Sequence, residues 1–376
     1  MKDENSISKY LKINMNNRES SIDILKITGC FCVIILHYTN YYYKPTLNMG
    51  EYLFLNSIRW FVFGCIGFYI IATGYLNCNK KIDKKYYMRL IPTIITFLSF
   101  SLITHLIITS YEGDQSFLSY LYGGIKWYFW KYNAYFWYMN FYLSFYLLIP
   151  FINIIINNIN KWQHILLIAI SICIISLPDC LAVASDFWPI LKESGITLPS
   201  YFSKDCFPFI YYFIGAFFKK YPVCINSLKK NMYLVFLLLV LVLHSYLDTV
   251  YLNIYQEQFE LGQHIYTFNS YGNIFTIITC TIYFVCISNI RIRNKMVNSI
   301  VIFISSYTLE MYLGLAIADK LVNKLCELNK YEIDCSIMGF SIWFFGELFI
   351  LLGGGIIAAT WKILYIRIKH LLSSKH

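Results

Sequence analysis

Long apolar runs separated by short polar ones organise this chain. About ten stretches are long and apolar enough to cross a bilayer, at roughly residues 22–43, 54–76, 90–110, 135–156, 163–183, 205–219, 231–250, 270–290, 298–321 and 338–366. Each predicts a helix, and the expected architecture is all-α: a polytopic integral membrane bundle of about ten transmembrane helices. No loop exceeds about 25 residues, so no separate soluble domain is expected. The chain divides into an N-terminal tail over 1–20, a membrane domain over 21–366 and a C-terminal tail over 367–376.

Composition supports this reading. The 376 residues are 58% hydrophobic and only 14% charged, and mean hydropathy is +0.52; a soluble chain carries about a quarter charged residues. The net charge of +10 is no nucleic-acid footprint, because the lysines lie between apolar runs and not on one soluble face. Lysine and arginine also set the orientation. With the N-terminus inside, the cytosolic segments hold 20 of the 31 basic residues and the outer segments 8. Both termini are therefore expected in the cytoplasm, with the chain in the cytoplasmic (inner) cell membrane. The first twenty residues are polar and mixed in charge, so no cleavable signal peptide is expected. The 12 cysteines are scattered, without CxxC or zinc spacing, which reads as small apolar packing residues and no metal site. The Trp/Tyr-rich segment 111–134 is expected along the interface, and 251–269, with Glu257, Glu260 and His264, as a solvated loop.

Chemistry concentrates in the first span, DILKITGCFCVIILHY. Lys26 and His37 are eleven residues apart, about three helical turns, so both point to one face roughly 16 Å apart along the axis. A buried imidazole can take a proton from a hydroxyl or carry an acyl group; it can also be a hydrogen-bonded structural histidine. Asn40 and Tyr41, three and four residues on, are placed to orient it or to meet a substrate. Asp23 and Lys26 form an i, i+3 pair that is either an interfacial ion pair or the start of an anion seat. In the loop NCNKKIDKKYYMRLIP, Lys85 and Arg89 lie where the third helix begins, and Pro92 suits an early helical position. A phosphate there would meet helix-terminal amides and a guanidinium. Arg59, near the far end of the second span, is a structural or an acceptor-binding residue. Glu310 falls near the middle of the ninth span, where lipid exposure would cost about 2.5–3.5 kcal/mol, so it is expected to face the interior and to hold the His37 ring. Glu347 is a weaker candidate of the same kind, and His105, His164 and His244 read as structural.

These residues resemble the acyltransferase-three family of membrane O-acyltransferases. The likeness covers roughly 18–366. Its basic residue, ten residues and histidine are similar to Lys26 and His37, and its SGY-type element resembles FYIIATGYL, with Thr73 in the serine position. The basic loop ending in Arg-x-x-Pro resembles Arg89–Pro92. FWYMNFYLSFYLLIP (Phe136–Pro150) is similar to the family's aromatic span, and Thr308–Leu313 to its TLE-x-YL element. Tyr135 and Leu315 stand where the family often has histidine. The resemblance implies transfer of an acyl group, usually acetyl from acetyl-CoA, to a hydroxyl of a cell-surface polysaccharide or lipid-linked glycan. It further implies acyl-CoA phosphates on Lys26, Arg89 and Lys85, His37 as base or acyl carrier with Glu310 behind it, and Arg59 toward acceptor or oxyanion. A transporter or flippase for lipid-linked sugars would favour paired repeats and interrupted helices. A polymerase would favour basic outer loops.

Overall fold

A computed structural model describes residues 19–42, 49–112, 136–178, 180–181, 184, 206–223, 227–254, 270–328 and 338–355. Among these residues every regular element is a helix. In chain order they are α1 (Ser20–Tyr42), α2 (Met49–Val62), α3 (Cys65–Asn77), α4 (Lys84–Met88), α5 (Leu90–Glu112), α6 (Trp137–Asn158) and α7 (Lys161–Ile175). There follow α8 (Phe207–Lys220), α9 (Ser227–Ile254), α10 (Ile274–Ser288), α11 (Lys295–Ser305) and α12 (Thr308–Leu328), and finally α13 (Met338–Gly355). Of the segments expected along the interface (111–134) and as a solvated loop (251–269), residues 111–112 and 251–254 continue helices, and the rest lies outside the described residues, as do most of both tails.

Among the described residues six segments are long and apolar enough to cross a membrane: Ser20–Thr39, Leu55–Asn77, Lys84–Ile107, Trp137–Asn158, Lys229–Val250 and Met338–Gly355. α11 and α12 together make a seventh, bent by 59°. The other three expected stretches form shorter helices, α7 of 15, α8 of 14 and α10 of 15 residues. At 1.5 Å per residue they reach about 21–23 Å, short of the ~30 Å hydrocarbon thickness. Two of them start at asparagine caps. Asn160 and Gln163 form a reciprocal capping box at α7, and Asn273 accepts from the Phe275 amide at α10.

Two expected spans are broken. The second is interrupted at Phe63–Gly64 between α2 and α3, and the ninth at Ser306–Tyr307 between α11 and α12. Neither break contains proline. Packing holds both instead: Cys280 Sγ reaches the Gly64 carbonyl at 3.3 Å, and the Ser305 hydroxyl donates to buried Asp23 at 2.6 Å. Six of the cysteines, Cys30, Cys32, Cys65, Cys78, Cys280 and Cys286, are buried free thiols.

α3 is the centre of the bundle, packed against α1, α8 and α10. Its closest neighbour is α8, and two glycines make that approach possible. A Cβ on Gly74 would run into the Tyr212 carbonyl, and one on Gly215 into the Ile71 carbonyl. Backbones this close exclude any side chain at the crossing, the small-residue packing that membrane helices use where lipid offers no hydrophobic drive. Outer faces of α5, α6 and α9 carry exposed Leu98, Leu102, Ile154, Ile155, Leu238 and Leu239, the surface expected against acyl chains.

Where α1 begins, Glu19 pairs with Lys219 of α8 at 2.7 Å, and the Lys219 ammonium also covers the Tyr75 ring at 4.4 Å. Partial burial works against ionising Glu19, but hydrogen bonds from Lys219 and Tyr75 and the Lys219 charge outweigh it, so its carboxyl titrates below the ordinary glutamate value.

Two outcomes test this packing. Gly215→Ala, which must push its methyl into backbone, is expected to cost about 1–3 kcal/mol and to lower Tm in detergent. Gly353→Ala, whose methyl would meet nothing within 4 Å, leaves Tm unchanged. The Glu19 contribution is full above the ordinary glutamate pKa and fades as pH falls through the lowered one. Glu19→Gln should therefore lower Tm modestly at neutral pH and converge with the parent protein at acid pH, flattening the acid side of a Tm-against-pH curve.

Candidate functional site

Two helices bring the polar residues of the bundle interior together. Ser305, the last residue of α11 just before the break that leads into α12, donates to Asp23 near the start of α1. Fourteen positions further along each segment, past the Ser306–Tyr307 break on the second, His37 Nδ1 of α1 lies 3.7 Å from Asp319 Oδ2 of α12. Equal offsets in the same direction mean that α1 and α12 run parallel and in register. The sequence repeats the match on one face of each helix. Lys26, Cys30, Val33 and His37 on α1 have the same four-three-four spacing as Thr308, Tyr312, Leu315 and Asp319 on α12.

At the lower end of these stripes is a cavity of about 270 Å³. Lys26 contributes its cation, and Ser305, Ser306 and Thr308 contribute hydroxyls around the first turn of α12. Tyr69, Thr73, Tyr138, Tyr142 and Tyr312 line the rest. A lysine, a cluster of hydroxyls and the amides of a helix N-terminus are the groups that bind phosphate. His37 does not line the cavity. The chamber ends near Tyr69, whose ring packs on Gly29 closely enough that a Cβ there would approach it to 3.2 Å. Gly29 precedes His37 by eight residues, roughly 12 Å of helix.

At the upper end, His37 faces Asp319 and thus the bundle interior, with 26% of its side chain accessible against 8% for Asp319. The 3.7 Å separation is within ion-pairing reach but longer than a hydrogen bond, as unliganded acid–base pairs often are. The expected partner was Glu310. It lies nine residues earlier on α12, roughly 13 Å nearer the cavity end, directly after cavity-lining Thr308 and Leu309. The carboxylate beside the imidazole is Asp319 because parallel register, not proximity to a motif, decides which turn of α12 meets His37. Reading AIADK alone, Asp319 next to Lys320 resembles a solvated helix end.

The other expected residues separate into two groups. Lys85 and Arg89 are exposed on and just after α4, and the Arg89 charge acts on the Tyr146 phenol. Tyr146 stacks on Tyr86 at 4.4 Å and follows cavity-lining Tyr142 by one turn. The basic loop is thus tied to the cavity wall without lining it. Asn153 of α6 makes that tie: its amide donates to the Asn77 carbonyl at 2.7 Å and the Lys80 carbonyl at 2.8 Å, and its own oxygen accepts from Tyr212 at 2.7 Å. These bonds satisfy carbonyls at the end of α3 that the helix leaves open. Nothing in NIIINN distinguished Asn153 beforehand.

Arg59 is buried beside Phe63, 5.6 Å over its ring, and its charge acts on Asp248. Trp60 donates to the same carboxylate at 3.2 Å and lies against the His244 ring at 3.7 Å. Contacts of Gly29 with Tyr69 and Cys65 set antiparallel α1 and α2–α3 so that residue 59 falls near the depth of His37. His164 is held by the Phe213 carbonyl at 3.0 Å. The side chains of Asn40 and Tyr41 lie outside the described residues. Among the described residues no group of three or more His, Cys, Asp or Glu is arranged to hold a metal.

A family model described as an acyltransferase domain matches residues 19–360. No curated protein matches the chain, and no solved structure matches it.

Replacing Asn153 with Leu removes its bonds to the part-buried Asn77 and Lys80 carbonyls and the acceptor of the Tyr212 hydroxyl, each bond being worth about 0.5–1.5 kcal/mol. The expected result is a lower Tm together with faster proteolysis of the loop that carries Lys84, Lys85 and Arg89. An unchanged cleavage rate would show that the loop is held by other contacts.

Proposed function

The chain belongs to the acyltransferase-three family, and from that premise we propose that this multi-pass membrane acyltransferase moves an acyl group, acetyl in the simplest case, from acyl-CoA to a hydroxyl of a cell-surface polysaccharide or lipid-linked glycan. The observation that carries the reading is the pair of matched stripes, with a lysine-and-hydroxyl cavity at one end and an imidazole facing a carboxylate at the other. In this proposal the cavity end is cytosolic, both termini are cytoplasmic, and the ten apolar stretches all cross the inner membrane, the three short helices doing so at a locally narrow part of the bundle.

Lys26 and the α12 N-terminus then hold the diphosphate of CoA, with Arg89 and Lys85 reaching it from the adjoining loop. The pantetheine arm enters between the tyrosines. At the far end, His37 accepts the proton of the acceptor hydroxyl as its oxygen attacks the thioester carbonyl. The tetrahedral oxyanion collapses, the carbon–sulfur bond breaks, and the departing thiolate takes the proton back from the imidazolium. An acyl-His37 intermediate obeys the same balance in two steps. Asp319 takes over the orienting role expected of Glu310, which stays with the donor end. Arg59, at the depth of His37, is the candidate for the acceptor or the oxyanion. No step calls for a metal.

A transporter of lipid-linked sugar is the second reading, favoured by the two interrupted spans at Phe63–Gly64 and Ser306–Tyr307. Thiol release from acetyl-CoA in washed membranes separates the two, since transport yields none. On the enzyme reading, His37→Ala lowers thiol release by about 10²–10⁴-fold in protein that keeps its Tm. Lys26→Ala raises KM for acyl-CoA about tenfold or more with a smaller change in kcat. Full activity in folded His37→Ala protein would overturn the mechanism.

A further inference from the structure

We infer that Asp319 and Glu347 form a buried carboxyl pair sharing one proton, with Glu347 as a positioning residue that donates to Asp319 and holds its carboxylate against His37. This inference rests on the acyltransferase reading for its consequence in catalysis, but not for the existence of the pair.

Helix packing places the two side chains together. Gly314 of α12 lies against Leu351 of α13, and Val322 of α12 against Gly346, where an added Cβ would come within 3.2 Å of the valine. These two contacts make α12 and α13 antiparallel and bracket Asp319 opposite Glu347. The Asp319 carboxyl faces that of Glu347, and Glu347 is 0% exposed. From α1, Cys30 also faces Glu347, while His37 faces Asp319. One turn before Glu347 and on the same face, Trp343 is buried with Tyr38 and Val322.

Two carboxylates facing each other in a dry interior do not both ionise, and the pair retains a proton between them. The charge settles on Asp319, which is less deeply buried and has a nascent imidazolium beside it. Among the described residues, the groups that act on Glu347 are the Asp319 carboxyl and the Cys30 thiol, neither of them a cation, and it keeps the proton. An O–H···O⁻ bond of this kind is short and strong, and it fixes the Asp319 rotamer. Asp319 then selects the His37 tautomer with Nδ1 protonated, which leaves Nε2 free to accept a proton.

The test uses the full-length protein in lipid nanodiscs and three variants, Glu347→Gln, Glu347→Ala and His37→Ala. Infrared difference spectra report the C=O band of a protonated buried carboxyl. That band is expected to disappear in Glu347→Gln and to persist in His37→Ala. In thiol release, Glu347→Ala is expected to lose about 10²-fold in kcat, the size of a small misplacement of a catalytic group, with KM for acetyl-CoA unchanged. Glu347→Gln, which still donates to Asp319, restores most of that loss. The pair is refuted if the band survives Glu347→Gln, if Gln rescues nothing, or if Ala costs nothing. Should the parent protein release no thiol at all, the acyltransferase reading falls while the infrared result still decides the pair; should Glu347→Ala fail to fold, the near-isosteric Gln variant decides it alone.

Discussion

The parallel register of α1 and α12 is the constraint on which the rest of the site depends. Helix–helix packing in a membrane has no hydrophobic drive of its own, so alignment comes from close contacts and interior hydrogen bonds. Here the Ser305–Asp23 bond sets the start of the alignment, and every later pairing follows from helical rise. A shift of one residue would rotate Asp319 by about 100° away from the His37 face. The break at Ser306–Tyr307 serves the same end. Bending α11 away by 59° opens the first turn of α12 to the cavity while keeping its axis beside α1. An unbroken ninth span would bury those amides in its own preceding turn.

α3 provides the other wall, and its position is set by glycine. Gly74 and Gly215 let α3 and α8 touch backbone to backbone, which draws Thr73 and Tyr69 to the cavity edge. The sequence element that resembles the family's SGY motif therefore combines two roles in adjacent residues. Its hydroxyl position lines the chamber, and its glycine permits the crossing that puts it there. Asn153 then closes the end of the helix and turns the chain toward the basic loop.

What could be read from the sequence was whatever depends on local period. The Lys26–His37 stripe needs one helix and 3.6 residues per turn, and the structure has that helix over Ser20–Tyr42. The long apolar runs likewise became helices close to where hydropathy put them; α5 and α6 each start and end within about two residues of the expected limits. Partners across helices were not legible. Choosing between Glu310 and Asp319 requires knowing that α12 runs parallel to α1 and in what register, and neither follows from the composition of either segment. The two helix breaks were hidden for a related reason. Both lack proline, and tertiary contacts through Gly64 and Ser305 hold them. Asn153 was obscured by apolar neighbours that made it look incidental, and Glu347, though visible as an interior carboxylate, carried no sign of its partner Asp319.

Between its two polar ends, the α1–α12 seam is dry. Cys30 and Val33 on one helix and Leu315 on the other are all buried, and Tyr69 of the cavity lining lies beside Gly29 just beneath them. A charged group has little reason to enter such a seam, whereas an acyl thioester loses almost nothing there. In the proposed reaction this sorts the donor by chemistry: phosphates stay with Lys26 and the hydroxyls, and only the uncharged arm advances toward His37. The same dryness strengthens whatever fixed charge stands at the far end, because a single carboxylate acts on the imidazole more strongly where water is absent. It also makes a second ionised carboxyl intolerable. A bundle that places Asp319 and Glu347 face to face at that point must keep one of them neutral, so the water exclusion that protects the thioester also fixes the protonation state of the residues behind the base.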